Sequence, residues 1–341
     1  MATEQTETTV ETQGQARGQL LSSAKTWLSW ADKLGPFLAL LLVYAFFAVL
    51  NSRMLTLTAM EIIVQQTVIV GISAIGMTLV IISAGIDLSA GSIIAFGSVV
   101  VALLMERLGL GPLPAALGGI LAGLLWGVIN GLIITRFKVV PFIVTLGTLL
   151  VVRGFAKGLA NNIPINVHQS WLNNLLATLP PDRKWQLIPP GAWIMILLAI
   201  IVAGVLRYTK LGRHVYAIGS NEQTARLCGV AVERVKVIVY ALAGAFSGFA
   251  GLMMMSYQEQ GDPTSAQAME LDVIAAVVIG GGSLAGGIGS ILGSLIGAII
   301  MTVIRTGSQL NGWPTWVTQV ATGAIIVVAV AVDRLRHRQA A

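Results

Sequence analysis

The sequence is poor in the residue types from which most metal and redox sites are built. It has one cysteine, Cys228, and three histidines at positions 168, 214 and 337. A single cysteine excludes an internal disulfide framework, and the wide spacing of the histidines leaves no cluster suited to a metal ion. No glycine is followed by lysine, so the chain lacks the P-loop that binds nucleotide phosphates. We therefore expect no enzyme activity and no cofactor in this chain. Its energy must come from a partner or from an ion gradient.

Charged residues are also scarce. They make up 11% of the 341 residues, whereas a soluble domain has about 25%. Hydrophobic residues make up 55% of the chain, and the mean hydropathy is +0.82. This composition predicts an all-α polytopic membrane protein. The pI of about 9.7 does not indicate a nucleic-acid partner, because the basic residues cluster at the ends of apolar segments, where they orient a protein in the lipid bilayer.

Charge-poor windows long enough to cross about 30 Å of hydrocarbon predict about ten transmembrane helices. Two windows, 139–152 and 273–286, are shorter than the roughly 17 residues that a span needs. We expect these two to be broken, tilted or partly inserted. The ten windows are 34–52, 59–84, 88–105, 113–135, 139–152, 191–206, 237–255, 273–286, 287–304 and 313–332.

The distribution of basic residues predicts the orientation of these spans. With ten spans and the N-terminus inside, 14 of the 21 Lys and Arg lie on the cytoplasmic side. Both termini are therefore expected in the cytoplasm. Residues 1–33 are interpreted as a disordered tail, with an interfacial helix around Trp27 and Trp30, and residues 334–341 as a second tail. The transmembrane domain is 34–333, and 153–190 is its largest periplasmic segment.

Small residues recur every fourth position in two windows. This spacing places a small-residue stripe on one face of each helix, where helices pack closely in membranes. The stripes are 170 residues apart, in the fourth and ninth spans, which run in opposite directions. We interpret them as two inverted five-helix repeats, although helix packing alone explains each stripe equally well. The stripes consist of Gly119, Gly123, Gly127 and Gly131, and of Gly289, Gly293 and Gly297.

Asp87 is the sharpest candidate for chemistry inside the membrane. It lies in the segment SAGIDLSAGS, whose glycines allow the backbone to leave helical geometry. In one interpretation Asp87 and Ser89 line the pathway or anchor a gate. In the other, which we favour, Asp87 caps a helix that begins at Leu88. Asn130 is a third pathway candidate, although an interhelical hydrogen bond is the usual role of such a residue.

The remaining polar residues near span ends have simpler interpretations. Glu61, Gln65 and Gln66 lie near the start of the second window, and we expect their side chains to extend toward the membrane interface rather than to contact substrate. Asp272 precedes a short apolar run and is interpreted as a boundary residue.

The polar segment 207–236 interrupts the apolar pattern and carries six Lys or Arg. Basic residues close to span ends belong on the cytoplasmic side. Within it, NEQTARLCGV predicts a short helix with Asn221 as N-cap and Gly229 as C-terminal stop. A compact cytoplasmic helix of this kind is typical of a docking element.

Four motifs resemble the membrane permease subunit of bacterial ABC importers of the ribose type, a family that includes xylose, arabinose and galactoside permeases. The resemblance covers roughly residues 35–333. Two features depart from the family: the long Thr- and Gln-rich tail, and the segment 160–190 with its proline pairs. The motifs are GMTLVIISAGIDLSAGS at 76–92, INGLIITRFKVVPFIVTLGTLLVVRG at 129–154, LGRHVYAIGSNEQTARLCGV at 211–230 and LDVIAAVVIGGGSLAGGIGSILGSLIGAII at 271–300.

The resemblance implies a homodimer in the bacterial inner membrane that imports a monosaccharide. A cytoplasmic ATPase drives it, and a periplasmic sugar-binding protein delivers the sugar. Permeases for nucleosides or branched-chain amino acids are alternatives in the same superfamily. An ion-coupled secondary transporter is the alternative from another class, although such transporters usually carry several buried carboxylates. By the same resemblance, the loop that engages the ATPase includes Gly212, Gly219, Asn221, Ala225 and Gly229.

Overall fold

The computed structural model describes residues 35–178 and 188–340, with the side chains of 329, 330 and 332–340 excepted. The predicted tail 1–33, the interfacial helix at Trp27 and Trp30, and the first proline pair of the 160–190 segment lie outside these residues. Within them the chain is helical, apart from two short strands that pair antiparallel, Ile165 with Gly261 and Asn166 with Gln260.

Several of the helices follow one another with short connections. Three of the long helices begin with proline at their first position, where the missing N–H has no partner to lose. The helices are α1 (Gly35–Leu50), α2 (Leu57–Ile82), α3 (Ala90–Glu106), α4 (Pro112–Phe137), α5 (Pro141–Ala160), α6 (Pro190–Tyr208), α7 (Lys210–Ser220), α8 (Glu222–Leu227), α9 (Val232–Gln258), α10 (Met269–Ile279), α11 (Ile291–Leu310) and α12 (Thr315–Ala340), with 3₁₀ turns at Ser52–Leu55 and Asn173–Leu175 and strands β1 (Ile165–Asn166) and β2 (Gln260–Gly261).

Six helices in the described ranges are long and apolar enough to cross a membrane: α2, α4, α5, α6, α9 and α11. The chain is therefore a multi-pass membrane protein. Each of the ten predicted windows contains a helix, but α1, α3 and the apolar part of α12 (Thr315–Val328) are shorter than these six, so the ten-span count stays a prediction. The predicted window 139–152 ends before the helix does, because α5 continues to Ala160. The weak window 273–286 corresponds to an 11-residue helix followed by a glycine-rich loop.

Three helices form the centre of the protein. The most apolar 18-residue window of α2 is 83% buried, that of α11 is 72% buried and that of α9 is 61% buried, whereas those of α4, α5 and α6 are about one-third buried or less. A helix that is apolar on all sides is typical of such a central position. The outer helices expose large apolar side chains, among them Leu121, Leu150 and Ile200. These side chains suit contact with lipid.

The glycine stripes lie where helix backbones approach one another. A Cβ on Gly123 would overlap the carbonyl oxygen of Gly244 on α9, and a Cβ on Gly244 would overlap that of Gly123. On α11, a Cβ on Gly293 would overlap the oxygen of Gly280, and one on Gly297 that of Ala276. The first stripe thus joins α4 to α9, and the second joins α11 to α10. The other glycines of the two stripes also lie close to a neighbouring segment. Gly119 faces α3, Gly127 and Gly131 face α9, and Gly289 faces Ile82.

Candidate functional site

Asp87 lies in a tight, buried turn between α2 and α3. The helix α2 ends at Ile82, and Ala84 takes the left-handed conformation with φ of 59°. Asp87 is 1% exposed. Its Oδ1 accepts hydrogen bonds from the backbone N–H of Ser89 at 2.8 Å and from the Ser89 hydroxyl at 2.5 Å. The carboxylate thus closes an Asx-turn that precedes α3.

The prediction that Asp87 caps a helix beginning at Leu88 is wrong. The helix α3 begins at Ala90, and its N-cap residue is Ser89, whose side chain makes no capping hydrogen bond. Asp87 bonds two residues ahead and outside the helix. Its physical role is to fix the turn, because a buried backbone N–H without a partner is costly.

A chain of hydrogen bonds leads from this turn into the neighbouring helices. Asn130 on α4 donates to the Ser89 hydroxyl at 3.0 Å, and Thr148 on α5 donates to the Asn130 carbonyl oxygen at 2.6 Å. The hydroxyl of Tyr240 on α9 donates to the carbonyl of Ile86 at 3.4 Å. Ser89 and Asn130 are fully buried. The turn is therefore tied to α4, α5 and α9, and Asn130 makes the interhelical hydrogen bonds typical of its type.

An equivalent turn lies between α9 and α10, and the sequence analysis did not recognise it. Asp262 Oδ1 accepts hydrogen bonds from the backbone N–H and the hydroxyl of Thr264, both at 2.7 Å. Glu259 precedes Asp262 by three residues and has φ of 57°, as Ala84 precedes Asp87 with φ of 59°. The signal that could have found it is the spacing Asp-x-Ser/Thr, in DLS at 87–89 and DPT at 262–264.

Arg153 on α5 stabilises the segment after Asp262. Its guanidinium donates to the carbonyl oxygens of Pro263 at 3.0 Å and Ser265 at 2.6 Å. Close by, Asp272 in the first turn of α10 forms an ion pair with Arg305 on α11. Asp272 was interpreted as a boundary residue. It is instead buried and joins two helices.

The polar segment 207–236 folds into two helices rather than one. The helix α7 was not predicted, although its apolar residues recur on one face between the basic ones. Val215 and Ile218 are buried in it, and the Tyr216 hydroxyl donates to the carbonyl of Gly289 at 2.8 Å. The helix α8 matches the predicted capped helix: the Asn221 side chain accepts from the N–H of Thr224 at 2.8 Å, and Gly229 has φ of 84°.

The five residues assigned to the ATPase-engaging loop do not share one surface. Gly212 packs against the backbone of Leu206, Gly219 against that of Ile82, and Ala225 is buried. Only Asn221 and Gly229 are exposed. Gly212, Gly219 and Ala225 therefore shape the loop from inside. Any docking contact must come from side chains other than these three.

Leu227 is the exposed apolar residue that the sequence analysis missed. It is 89% exposed at the end of α8. Around it, Glu222 accepts from Lys236 at 2.6 Å and pairs with Arg226 at 3.4 Å. The hydrogen bond from Lys236 lowers the pKa of the Glu222 carboxyl below its usual value. Lys236 thus fastens α8 to the start of α9. Leu227 lies at the C-terminal end of α8.

Gln65 and Gln66 place polar atoms inside the protein, while the expected approach of Glu61, Gln65 and Gln66 to the membrane interface stays a prediction. Gln65 is buried, and its amide donates to the carbonyl of Leu176 at 2.8 Å. The Oε1 atom of Gln66 is also buried. Within the described part of the chain, no group of three or more His, Cys, Asp or Glu could hold a metal ion.

Comparison with known proteins places this sequence in a family. Residues 59–330 match the family described as branched-chain amino acid transport system / permease component. The chain is 40% identical over 304 residues to a ribose import permease protein of Bacillus subtilis (strain 168), covering 89% of this chain and 93% of that relative. It is 36% identical over 309 residues to the ribose import permease protein of Escherichia coli (strain K12), covering 91% and 96%.

A fructose import permease protein of Rhizobium meliloti is 36% identical over 327 residues, covering 94% of this chain and 91% of the relative. No solved structure matches the chain. The resemblance read from the four motifs is confirmed. Since the family match spans most of the sequence and the relatives align over nearly their whole length, the chain belongs to the branched-chain amino acid transport system permease component family.

Proposed function

We propose that this chain is the transmembrane subunit of an ATP-driven importer in a bacterial inner membrane. Its substrate is a monosaccharide that a periplasmic binding protein delivers. The observation that carries the proposal is the capped helix α8, which presents exposed Leu227 while α7 is buried against the end of α2. A helix fixed in this way can transmit the motion of a docked ATPase.

The relatives favour a sugar over an amino acid as the substrate. The family description mentions branched-chain amino acids, but the relatives cited above are permeases for ribose and fructose, and an arabinose permease from Azospirillum brasilense is 32% identical over 308 residues. Nucleosides and branched-chain amino acids are the alternatives within the family.

Ten spans in two inverted repeats remain our interpretation of the topology, with both termini in the cytoplasm. Supporting it, α3 contacts α4, α5 and α9, while α10 contacts α11, α12 and α2. A division after α5 makes these two sets equivalent. The matching turns at Asp87 and Asp262 occupy equivalent connections in the two halves. Inverted repeats of this kind are common in transporters.

In the proposed mechanism, ATP-driven closure of the ATPase pushes on α8 through Leu227. The push passes to α7 and then, through Gly219, to the end of α2 and to the loop that contains Gly287. The Gly287 N–H donates to the Ile82 carbonyl at 2.8 Å, so these segments are held as one unit. The Asp87 turn follows Ile82 by five residues and would move with it.

A second copy of this chain and a separate ATPase complete the proposed transporter. A groove of about 500 Å³ lies beside α8, between the α4–α5 connection and the start of α9, and its walls include Lys138, Arg226 and Lys236. We propose that this groove and Leu227 together receive the ATPase.

Reconstitution tests the proposal. The permease, the ATPase and the binding protein encoded with it are placed in proteoliposomes, and uptake of radiolabelled D-ribose, D-fructose, L-leucine and uridine is measured. We expect uptake of a sugar that requires ATP and all three proteins. Uptake by the permease alone down a proton or sodium gradient would indicate a secondary transporter, and ATP-driven uptake of leucine or uridine alone would contradict the sugar assignment.

A further inference from the structure

A polar cavity lies between α2, α9, α10 and α11. Its volume is about 180 Å³. Amide side chains dominate its polar lining, together with one aromatic ring and one guanidinium group. The polar residues are Gln66, Tyr257, Gln258, Gln267, Arg305 and Gln309. Four glutamines around one small cavity are unusual for a chain in which only 11% of the residues are charged and most surfaces are apolar.

Two of these glutamines have buried amide oxygens without a hydrogen-bond partner. They are the Oε1 atoms of Gln66 and Gln258. The adjacent Gln65 is different, because its amide donates to the Leu176 carbonyl. An unpaired buried polar atom destabilises the fold, so it calls for an explanation. The terminal torsion of glutamine is soft, so a small rotation turns either amide toward a ligand in the cavity.

The chemistry of the lining selects a neutral molecule with several hydroxyl groups. An amide offers an acceptor and two donors in one plane, and a hydroxyl group both donates and accepts. Arg305 adds donors, but Asp272 already pairs with it. To bind a zwitterionic amino acid, the cavity would need one cationic and one anionic side chain that are not already paired with each other. Among the described residues that line this cavity, Arg305 is the one charged group.

The size of the cavity also suits a single sugar ring. Pockets for drug-sized ligands occupy roughly 300–1,000 Å³, so a cavity of about 180 Å³ suits a smaller molecule. Gln267, Arg305 and Gln309 also line a second cavity of about 500 Å³ between α10, α11 and α12. The two cavities therefore adjoin at these three side chains.

We propose that the cavity lined by Gln66 and Gln258 is a binding site for a monosaccharide within the permease itself. The inference rests on the proposed function, since it places the cavity on the route that the sugar takes through the permease. It goes beyond that function because delivery by a binding protein does not require the permease to hold the sugar. The site binds weakly, so that the sugar can leave.

The test measures binding to the purified permease alone, without ATPase or binding protein. Saturation-transfer NMR is recorded with D-ribose and D-fructose as probes and with L-leucine as a probe of different chemistry. We expect transfer to a sugar and none to leucine. Replacing Gln66 or Gln258 by Leu should weaken sugar binding about threefold to tenfold for each amide removed. The variant Gln223→Leu, on exposed α8, is the control and should bind as the wild type does.

Thermal stability separates a binding site from a structural role. Because the amide oxygens have no partner, Gln66→Leu and Gln258→Leu should raise the Tm of the sugar-free protein and reduce the rise in Tm that saturating sugar causes. A fall in the sugar-free Tm would assign the amides to the fold and overturn the proposal. So would the absence of a sugar signal in the wild type, an undiminished signal in both variants, or a leucine signal that the variants abolish.

Transport distinguishes the failure of this inference from that of the proposed function. If the reconstituted complex imports sugar with ATP, and both Leu variants do so with unchanged KM and rate, the site is rejected while the importer assignment stands. If the permease binds sugar but the complex imports none, the importer assignment fails and the site remains.

Discussion

Gly219, at the end of α7, lies against the carbonyl of Ile82, the last residue of α2, so closely that a Cβ at position 219 would overlap the oxygen. The same Cβ would also overlap the backbone N–H of Gly287, which donates to that carbonyl. Three segments thus meet at one point without side chains between them. Contact through backbone is stiff, which suits the proposed transmission of motion from α7 to α2.

We predict that Gly219→Ala loosens this junction. The added methyl group overpacks a backbone contact, and overpacking costs about 1–3 kcal/mol. The Tm should fall, and ATP hydrolysis should continue with less sugar transported per ATP. Gly204→Ala on α6 is the matched control, because nothing lies within 4 Å of a Cβ there. Equal Tm and equal transport for the two variants would contradict a close junction.

We predict that Leu227→Asp weakens ATPase binding without unfolding the permease. Leu227 is 89% exposed, so its replacement should change stability little. An anchor side chain at the centre of an interface contributes about 2 kcal/mol or more, so we expect loss of Leu227 in this role to raise the Kd at least tenfold. Affinity for the ATPase, measured by microscale thermophoresis, checks this. Leu55→Asp is the control. Leu55 is an exposed leucine just before the start of α2, so its replacement should leave the affinity unchanged.

The glycine stripes predict local overpacking when a large residue is introduced. Gly123→Leu and Gly293→Leu force side chains into backbones of α9 and of the loop after α10, respectively. A loss of about 1–3 kcal/mol, and a lower yield, is expected for each. Gly147→Leu on α5 is the control, since a Cβ at that position meets nothing within 4 Å. A wild-type melting profile for both stripe variants would show that these faces tolerate bulk.

Asp87 is predicted to act by holding its turn. In Asp87→Asn the amide oxygen can still accept from Ser89, so stability and uptake should stay close to wild type. Asp87→Ala leaves the buried N–H and hydroxyl of Ser89 without their acceptor and should cost about 1–3 kcal/mol. Uptake and Tm are measured for both variants. A stable but inactive Asp87→Asn protein would instead assign the charge to a gate or pathway.

The pair of Glu222 and Lys236 predicts how α8 responds to acid. The hydrogen bond from Lys236 lowers the pKa of Glu222 from 4.5 in the folded state. The stabilisation is therefore fully present above pH 4.5 and is lost as the pH falls through the lower, folded pKa. Hydrogen exchange of the 222–227 amides should accelerate in that acid range. In Lys236→Met the exchange should already be fast at pH 6, and unchanged protection would show that the pair does not fasten α8.

Local patterns predicted a helix well where its ends depend on interactions between neighbouring residues. The capped helix of α8 follows from Asn221 and Gly229, because the capping hydrogen bond and the left-handed glycine are properties of neighbouring residues. The helix α7 was missed because its buried face depends on α2 and on the Gly289 carbonyl, which are distant in sequence. The Asp87 turn was placed correctly, but its type was wrong, because a cap and an Asx-turn use the same residue types.

Composition and neighbouring residues were enough to identify a multi-pass membrane protein, to locate its apolar segments and to recognise its family motifs. The pairing of Asp272 with Arg305, the position of Gln66 beside Gln258 and the contact of Gly219 with Ile82 became visible in the folded protein alone. Each of these relationships joins residues from different helices. Helix packing sets their distances, and no local pattern encodes which faces meet.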